Sequence, residues 1–132
     1  MTARATGSFT VSGWDESTYE DLGDGGKLTK AHVTFGFDGD LDGEGGWEAV
    51  MCYRPDGTAI FTGFQRTVGK LAGLRGSFVV RADGTFENGE ARTNWEVVDG
   101  SATDDLRGLR GTGTAVTTST SGGDFALDYE LG

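Results

Sequence analysis

Short turn sequences divide this chain at frequent intervals. Seven Asp-Gly or Asn-Gly pairs occur in its 132 residues, and apolar residues alternate with polar ones between them. They are Asp24-Gly25, Asp38-Gly39, Asp42-Gly43, Asp56-Gly57, Asp83-Gly84, Asn88-Gly89 and Asp99-Gly100. Asp and Asn tolerate left-handed backbone angles and Gly adopts them without steric cost, so these pairs close tight turns between antiparallel strands. The pattern predicts an all-β protein in which hairpins close into a barrel.

Eight strands are predicted between the turns, in one domain that spans residues 1–132. They cover residues 7–14, 27–37, 45–54, 58–69, 75–82, 91–98, 111–118 and 124–131. The stretch from Asp15 to Asp24 is predicted to hold a short helical turn or a long loop. Residues 54–57 (RPDG) and 81–84 (RADG) are both predicted to form type I turns.

Two similar segments, LAGLRGS at 71–77 and LRGLRGT at 106–112, each lie between strands. They predict a recurrent corner, in which leucine plugs one end of the barrel and glycine lets a strand begin sharply.

The charge balance excludes several classes of partner. Eleven Lys and Arg stand against twenty-one Asp and Glu, so the formal charge is −10 and the chain repels nucleic acid and anionic lipid surfaces. Uncharged apolar runs are only a few residues long, too short to span a membrane. The single cysteine, Cys52, cannot form an internal disulfide, and the first residues do not resemble a signal peptide. A cytoplasmic location is therefore expected.

Alternation assigns one face of each strand to the barrel interior. In the fourth strand both faces are plausible, and the set with Phe61 and Gln65 is placed inside because the other set carries Arg66, which should stay solvated. The predicted inward residues are Phe9, Val11, Ala31, Val33, Phe35, Phe37, Trp47, Ala49, Met51, Tyr53, Phe61, Gly63, Gln65, Phe78, Val80, Ala91, Thr93, Trp95, Val97, Phe125, Leu127, Tyr129 and Leu131.

This predicted lining mixes large aromatic residues, very small residues and a few polar tips, which favours a ligand cavity over a solid core. A solid core whose polar atoms satisfy one another is the alternative. The candidate ligand-binding residues are Phe35, Trp47, Met51, Phe61, Thr93 and Trp95. The candidate catalytic residues are Tyr53, Gln65 and Tyr129, which are expected to hydrogen-bond to a carbonyl, epoxide or hydroxyl of a bound apolar molecule.

Several short motifs are spread over nearly the whole chain. They are Gly7-Ser8-Phe9-Thr10-Val11 with Trp14-Asp15-Glu16, Gly43-Glu44-Gly45, Tyr53-Arg54-Pro55-Asp56-Gly57-Thr58, Gly63-Phe64-Gln65-Arg66 and Leu109-Arg110-Gly111. Together they resemble the bacterial DUF3224 family. That family has no characterised function and is similar to the eight-stranded antiparallel barrel of the allene oxide cyclases and, more loosely, of dirigent proteins. The resemblance implies an allene oxide cyclase-like barrel, and a cyclase or isomerase that steers a polyketide- or lipid-like intermediate.

One position departs from the family pattern. A glutamate commonly precedes the arginine of the fourth-strand motif, whereas this chain has Gln65 before Arg66. Glutamine can position a ligand but cannot take a proton. If a carboxylate there is the base, this chain binds without catalysis or uses another group, such as Glu48.

No metal or cofactor is predicted. Asp38, Asp40 and Asp42 match the first half of a calcium-binding EF-hand loop, but position twelve is Ala49 instead of glutamate, which favours a hairpin. His32 is the only histidine and is expected on the outer face with Cys52. The segment 63–70 lacks the spacing of a phosphate-binding loop.

Three functions fit these observations: a cyclase or isomerase, a ligand carrier or sensor without turnover, and a structural barrel with a filled core. The expected ligand is a small apolar molecule. The outer face also carries Val50, Ile60 and Phe64. Together they would expose more apolar surface to solvent than an isolated barrel should, which predicts a homo-oligomer, either a dimer or a trimer.

Overall fold

The computed structural model describes residues 2–119 and 121–131, almost all of which lie in eight strands. The strands are β1 (Ala3–Gly23), β2 (Gly26–Gly39), β3 (Leu41–Tyr53), β4 (Ala59–Leu71), β5 (Leu74–Glu87), β6 (Glu90–Val97), β7 (Leu109–Ser119) and β8 (Gly122–Leu131). A single 3₁₀ turn, Asp104–Leu106, lies between β6 and β7.

Each strand pairs antiparallel with the next, and β1 also pairs with β8, so the eight strands form a closed ring. The eight predicted strands and their antiparallel closure are confirmed. Within residues 2–119 and 121–131, none of the helical structure has the length and apolar character needed to cross a membrane.

Three hairpins turn on two residues that both have positive φ, the geometry of a type I′ turn. Asp24-Gly25 has φ values of 53° and 89°, and Asn88-Gly89 has values of 56° and 75°. The third turn, Ala72-Gly73, has values of 50° and 85°. This turn lies in the first of the two repeated segments and was predicted as a corner between strands, without its turn type.

Three of the seven punctuating pairs fall within strand bounds. Asp38-Gly39 forms the last two residues of β2, and the other two pairs lie inside strands, not at turns. Asp42-Gly43 is in β3, and Asp83-Gly84 is in β5, so the type I turn predicted at residues 81–84 is wrong. A Cβ on Gly84 would lie 1.9 Å from the Arg92 carbonyl oxygen of β6. Gly84 is therefore needed because β5 and β6 approach closely at this point. An Asp-Gly pair looks the same in the sequence whether it forms a turn or allows such a close approach.

The segment from Asp15 to Asp24 was predicted as a short helical turn or a long loop, but all of it except Asp24 is the second half of β1. It pairs with β2 from Asp15 opposite His32 to Gly23 opposite Gly26. Bulges interrupt the β1–β2 pairing at Tyr19 and Leu22 within this segment, and at Ser12 just before it. The bulges disturb strict alternation, which is why the polar segment does not look like a strand in the sequence.

Leucines close one end of the barrel. Each is 1% exposed, and three of them come from the two repeated segments, as those segments predicted: Leu41, Leu71, Leu106 and Leu109. Most of the other predicted inward side chains are buried, including Val33, Val80 and Leu127. The prediction that Leu131 points inward is wrong, because its side chain is 40% exposed at the end of β8.

Candidate ligand-binding site

The barrel contains a cavity of about 720 Å³. It extends toward the end opposite the leucine plug, where β3 ends at Tyr53 and β4 begins at Ala59. Eight of the nine predicted site residues line it: Phe35, Trp47, Met51, Tyr53, Phe61, Gln65, Thr93 and Trp95. The ninth, Tyr129, does not line it. Eight strands of large and small inward side chains thus leave room for one small molecule.

Packed aromatic rings form much of the cavity wall. Trp47 and Phe61 meet edge to face with centroids 5.2 Å apart. On another part of the wall, Phe37 meets Trp95 edge to face at 5.9 Å, and Trp95 stacks on Phe125 at 5.7 Å. Such pairs are favourable beyond the area they bury, so these rings give the cavity a defined apolar shape.

Two polar side chains lie deep in this apolar wall on neighbouring strands. Gln65 is 3% exposed and lies directly opposite Trp47 in the β3–β4 register. Its Nε2 donates to Thr67 Oγ1 at 3.2 Å. Trp47 Nε1 is buried and has no hydrogen-bond partner in the described part of the chain. An unpaired buried donor costs about 1–3 kcal/mol, which the packing of the indole ring has to offset.

A carboxylate that the sequence analysis did not select, Glu16, lies at the open end of the cavity. Its Oε2 accepts hydrogen bonds from Tyr53 Oη at 2.7 Å and from Thr29 Oγ1 at 2.6 Å. Its Oε1 accepts a bond from Trp14 Nε1 at 2.9 Å. Two of these donors, Tyr53 and Trp14, line the cavity. We call Glu16, Trp14, Thr29 and Tyr53 the mouth cluster.

The mouth cluster keeps Glu16 ionised and Tyr53 protonated. Partial burial opposes the charge on Glu16, but the bonds from Thr29, Tyr53 and Trp14 and the positive charge of Lys27 outweigh it and lower the pKa of this carboxyl. Burial and the adjacent Glu16 raise the pKa of the Tyr53 phenol. Because the Tyr53 proton is donated to Glu16, its oxygen is left to act as an acceptor.

The bulge at Ser12 explains why Glu16 faces inward. Before it, Val11 lies opposite Phe35, and after it Glu16 lies opposite the buried Ala31. The inward side of β1 therefore changes from odd-numbered to even-numbered residues. Plain alternation from Phe9 and Val11 places Glu16 outside, and Gly13 in the middle of a strand is the one local signal of a bulge.

A family model described as "Protein of unknown function (DUF3224)" matches residues 5–129 of this sequence. The chain belongs to the DUF3224 family. A crystal structure at 1.84 Å of a DUF3224 protein of unknown function from Shewanella oneidensis MR-1 is 24% identical. It aligns with a TM-score of 0.78 over 100% of this chain and 99% of that chain. This likeness shows the fold. A comparison with curated proteins gives no match.

Tyr129 occupies a different place in this DUF3224 chain. It is buried near the plugged end, opposite Gly111 of β7. It contributes to a groove on the outside of the sheet together with Phe64 and Arg110. Tyr129 is thus separated from Gln65 and Tyr53, and the structure does not bring the three candidate catalytic residues together.

The remaining candidates of the DUF3224 chain lie outside the cavity. Glu48, the alternative base, is exposed and contacts His32 Nδ1 on the outer face, so its carboxylate does not reach the lumen. Asp40, from the loop that resembles half an EF-hand, accepts a hydrogen bond from the Thr6 backbone N–H at 2.9 Å. Among the described residues, no group of three or more acidic, His or Cys side chains is placed to hold a metal ion.

Proposed function

We propose that this protein binds one small, largely apolar molecule inside the barrel. The observation that carries the proposal is the cavity of about 720 Å³, which lies within the range of small-molecule sites. Its wall is aromatic and aliphatic, with a few polar side chains, Gln65, Thr93 and Tyr53. A structural barrel with a filled core would not leave this volume.

The neutral fluorescent probe N-phenyl-1-naphthylamine tests this proposal, because its emission rises in an apolar site. We expect saturable binding with one probe per chain. Ala91 lines the cavity, so Ala91→Phe should reduce the bound fraction by filling part of the volume. Asn94→Phe is the matched control, since Asn94 lies on the exposed face of the same strand. No binding by the wild type, or equal losses in both variants, would contradict a ligand in the lumen.

The closed, eight-stranded antiparallel ring supports assignment to the allene oxide cyclase-like type of barrel, and with it a second candidate function as a cyclase or isomerase. The specific observation that favours turnover is the plug of leucines at one end, which restricts water around a reactive intermediate. Rate would then come mainly from orientation of the substrate. Gln65, in place of the family's usual glutamate, favours a carrier or sensor instead.

Product analysis separates these two functions. A long-chain allene oxide opens to an achiral zwitterion and cyclises without an enzyme to a racemic product, so an enantiomeric excess in the presence of the protein would report steering by the cavity. Gln65→Glu restores a carboxylate next to Trp47 and should raise turnover if that group is the missing base. A racemic product from both proteins, with probe binding intact, would leave the carrier or sensor as the function.

A further inference from the structure

The charges around the cavity select the kind of ligand it can hold. None of the described residues that line the cavity is charged. The carboxylate of Glu16 lies at the mouth, bonded to two lining residues. The formal charge of the whole chain is −10. A ligand that carries a carboxylate, such as a fatty acid, would find no cation among the described residues that line the cavity, and at the mouth it would have to compete with Glu16 for the charge of Lys27.

Glu16 has no ion-pair partner within the part of the chain that the structure describes. The positive charge of Lys27 helps to lower the pKa of Glu16. The Lys27 Nζ lies over the Tyr53 ring, however, 5.1 Å from its centroid, and it forms no ion pair within 4.0 Å of the carboxylate. The Glu16 oxygens accept three bonds, two at Oε2 and one at Oε1, whereas a carboxylate has about four acceptor positions. One position at Oε1 is therefore open.

The position of Lys27 shows that a cation fits at the mouth, since Lys27 lies directly opposite Tyr53 in the β2–β3 register and its ammonium lies over that ring. An ammonium over an aromatic face is favoured by the ring quadrupole. Here the ring belongs to Tyr53, whose hydroxyl donates to Glu16, so the ring and the carboxylate form one electronegative site. Lys27 reaches it from an exposed position on a flexible side chain, and a ligand amine could displace it at little cost.

We propose that the mouth cluster is an ammonium-binding subsite, and that the ligand of this barrel is an apolar molecule with a terminal amine. This inference rests on the proposed function, since the apolar body of the amine would occupy the lumen. The ammonium would donate to the open position on Glu16 Oε1 beside the rings of Trp14 and Tyr53. The deep end of the ligand would remain apolar.

Three probes with the same ten-carbon chain test the subsite: decylamine, decanol and decanoate, titrated at pH 7 by calorimetry. We expect decylamine to bind about tenfold more tightly than decanol, as a hydrogen bond to a charged group predicts, and decanoate to bind most weakly. Decylamine and decanol should displace each other, which places both in the lumen. If none of the three binds, the proposed function fails together with the inference. If decanol binds, but decylamine binds no more tightly or does not compete with decanol, the ammonium subsite is wrong and the proposed function still stands.

Variants of the mouth cluster identify the group responsible. Glu16→Gln should remove the preference for decylamine over decanol, whereas Glu20→Gln, an exposed change on the same strand, should preserve the preference. Lys27→Gln removes the competing cation from an exposed position, so it should tighten decylamine binding even if Glu16→Gln does not fold. Weaker or unchanged decylamine binding to Lys27→Gln, or a preference that persists in Glu16→Gln, would overturn the proposal.

Discussion

At the scale of single residues, Glu16 links the stability of the barrel to pH. Its pKa in the folded chain lies below the ordinary value of 4.5. The folded state therefore binds this proton less readily than the unfolded state, so the carboxylate contributes stability above pH 4.5 that is lost as the pH falls through the lowered pKa. We expect the urea midpoint of the wild type to exceed that of Glu16→Gln at pH 6–7, and the difference to shrink steadily below about pH 4.5.

Glu20→Gln is the control for this pH dependence, because Glu20 is exposed on the same strand. Its midpoint should follow that of the wild type at every pH. A difference between wild type and Glu16→Gln that stays constant from pH 7 to pH 3 would show that Glu16 stabilises the barrel by packing and not through its charge.

The polar residues deep in the cavity and those at its mouth are not equally predictable from the sequence. Trp47 and Gln65 lie on strands without bulges, so simple alternation places both inside. Glu16 follows the bulge at Ser12, which exchanges the faces of β1. The position of a bulge depends on how two strands pair across the sheet, and one strand's sequence carries only a weak trace of it. The cavity wall is therefore predictable from residue patterns, whereas the mouth cluster is not.

At the scale of elements, the turn of the β4–β5 hairpin contains a residue, Ala72, whose backbone conformation is unfavourable for its type. Ala72 has a φ of 50°, a left-handed conformation that costs an alanine about 1 kcal/mol and that asparagine tolerates better. Ala72→Asn should raise the free energy of unfolding by roughly 0.5–1 kcal/mol. Thermal unfolding followed by circular dichroism should show a midpoint a few degrees higher.

The β5–β6 hairpin provides the reverse experiment. Asn88-Gly89 already has the preferred residues in the same geometry, with φ values of 56° and 75°. Asn88→Ala should therefore lower the midpoint by a similar amount. Equal effects of opposite sign would attribute both changes to the turn, whereas destabilisation by Ala72→Asn would mean that the alanine side chain is needed for packing.

Sequence patterns locate hairpins better than they locate strand ends. Asp24-Gly25 and Asp56-Gly57 lie at turns as predicted, but Asp83-Gly84 has the same letters and lies inside β5. The difference arises because Gly84 is required by the neighbouring β6 backbone, a contact between distant residues. Ala72-Gly73, conversely, forms a tight turn without the usual Asp or Asn because the paired strands β4 and β5 impose it.

At the scale of the whole molecule, the sequence predicts that the strands close but not how much space they enclose. Closure follows from the number of strands and the turns between them. The volume depends on strand tilt and on which inward positions are as small as Ala82 or Ala115, both buried beside the cavity. One end is filled by leucines and the other carries the mouth cluster, so the Glu16 carboxylate lies at the open end, away from the plug.

The outer surface leads to the last prediction, which concerns assembly. Val50, Ile60 and Phe64 are 43%, 43% and 58% exposed, on the outward faces of the adjacent strands β3 and β4. Apolar side chains grouped in this way favour contact between copies of the chain, while a charge of −10 on each copy opposes it. We therefore predict a dimer or trimer by sedimentation velocity at tens of micromolar protein, with the larger species more populated as salt screens the repulsion.

Phe64→Lys places a charge in the middle of this surface and should yield monomers without unfolding the barrel. Leu22→Lys is the matched control, because Leu22 is similarly exposed, at 54%, but lies on β1, a strand that pairs with β2 and β8 and not with β3 or β4. It should leave the assembly intact. A monomeric wild type, or dissociation by Leu22→Lys and not by Phe64→Lys, would place the exposed residues of β3 and β4 outside any interface. Since the cavity opens at one end of the barrel and Phe64 lies on its side, ligand binding should survive in the monomeric variant.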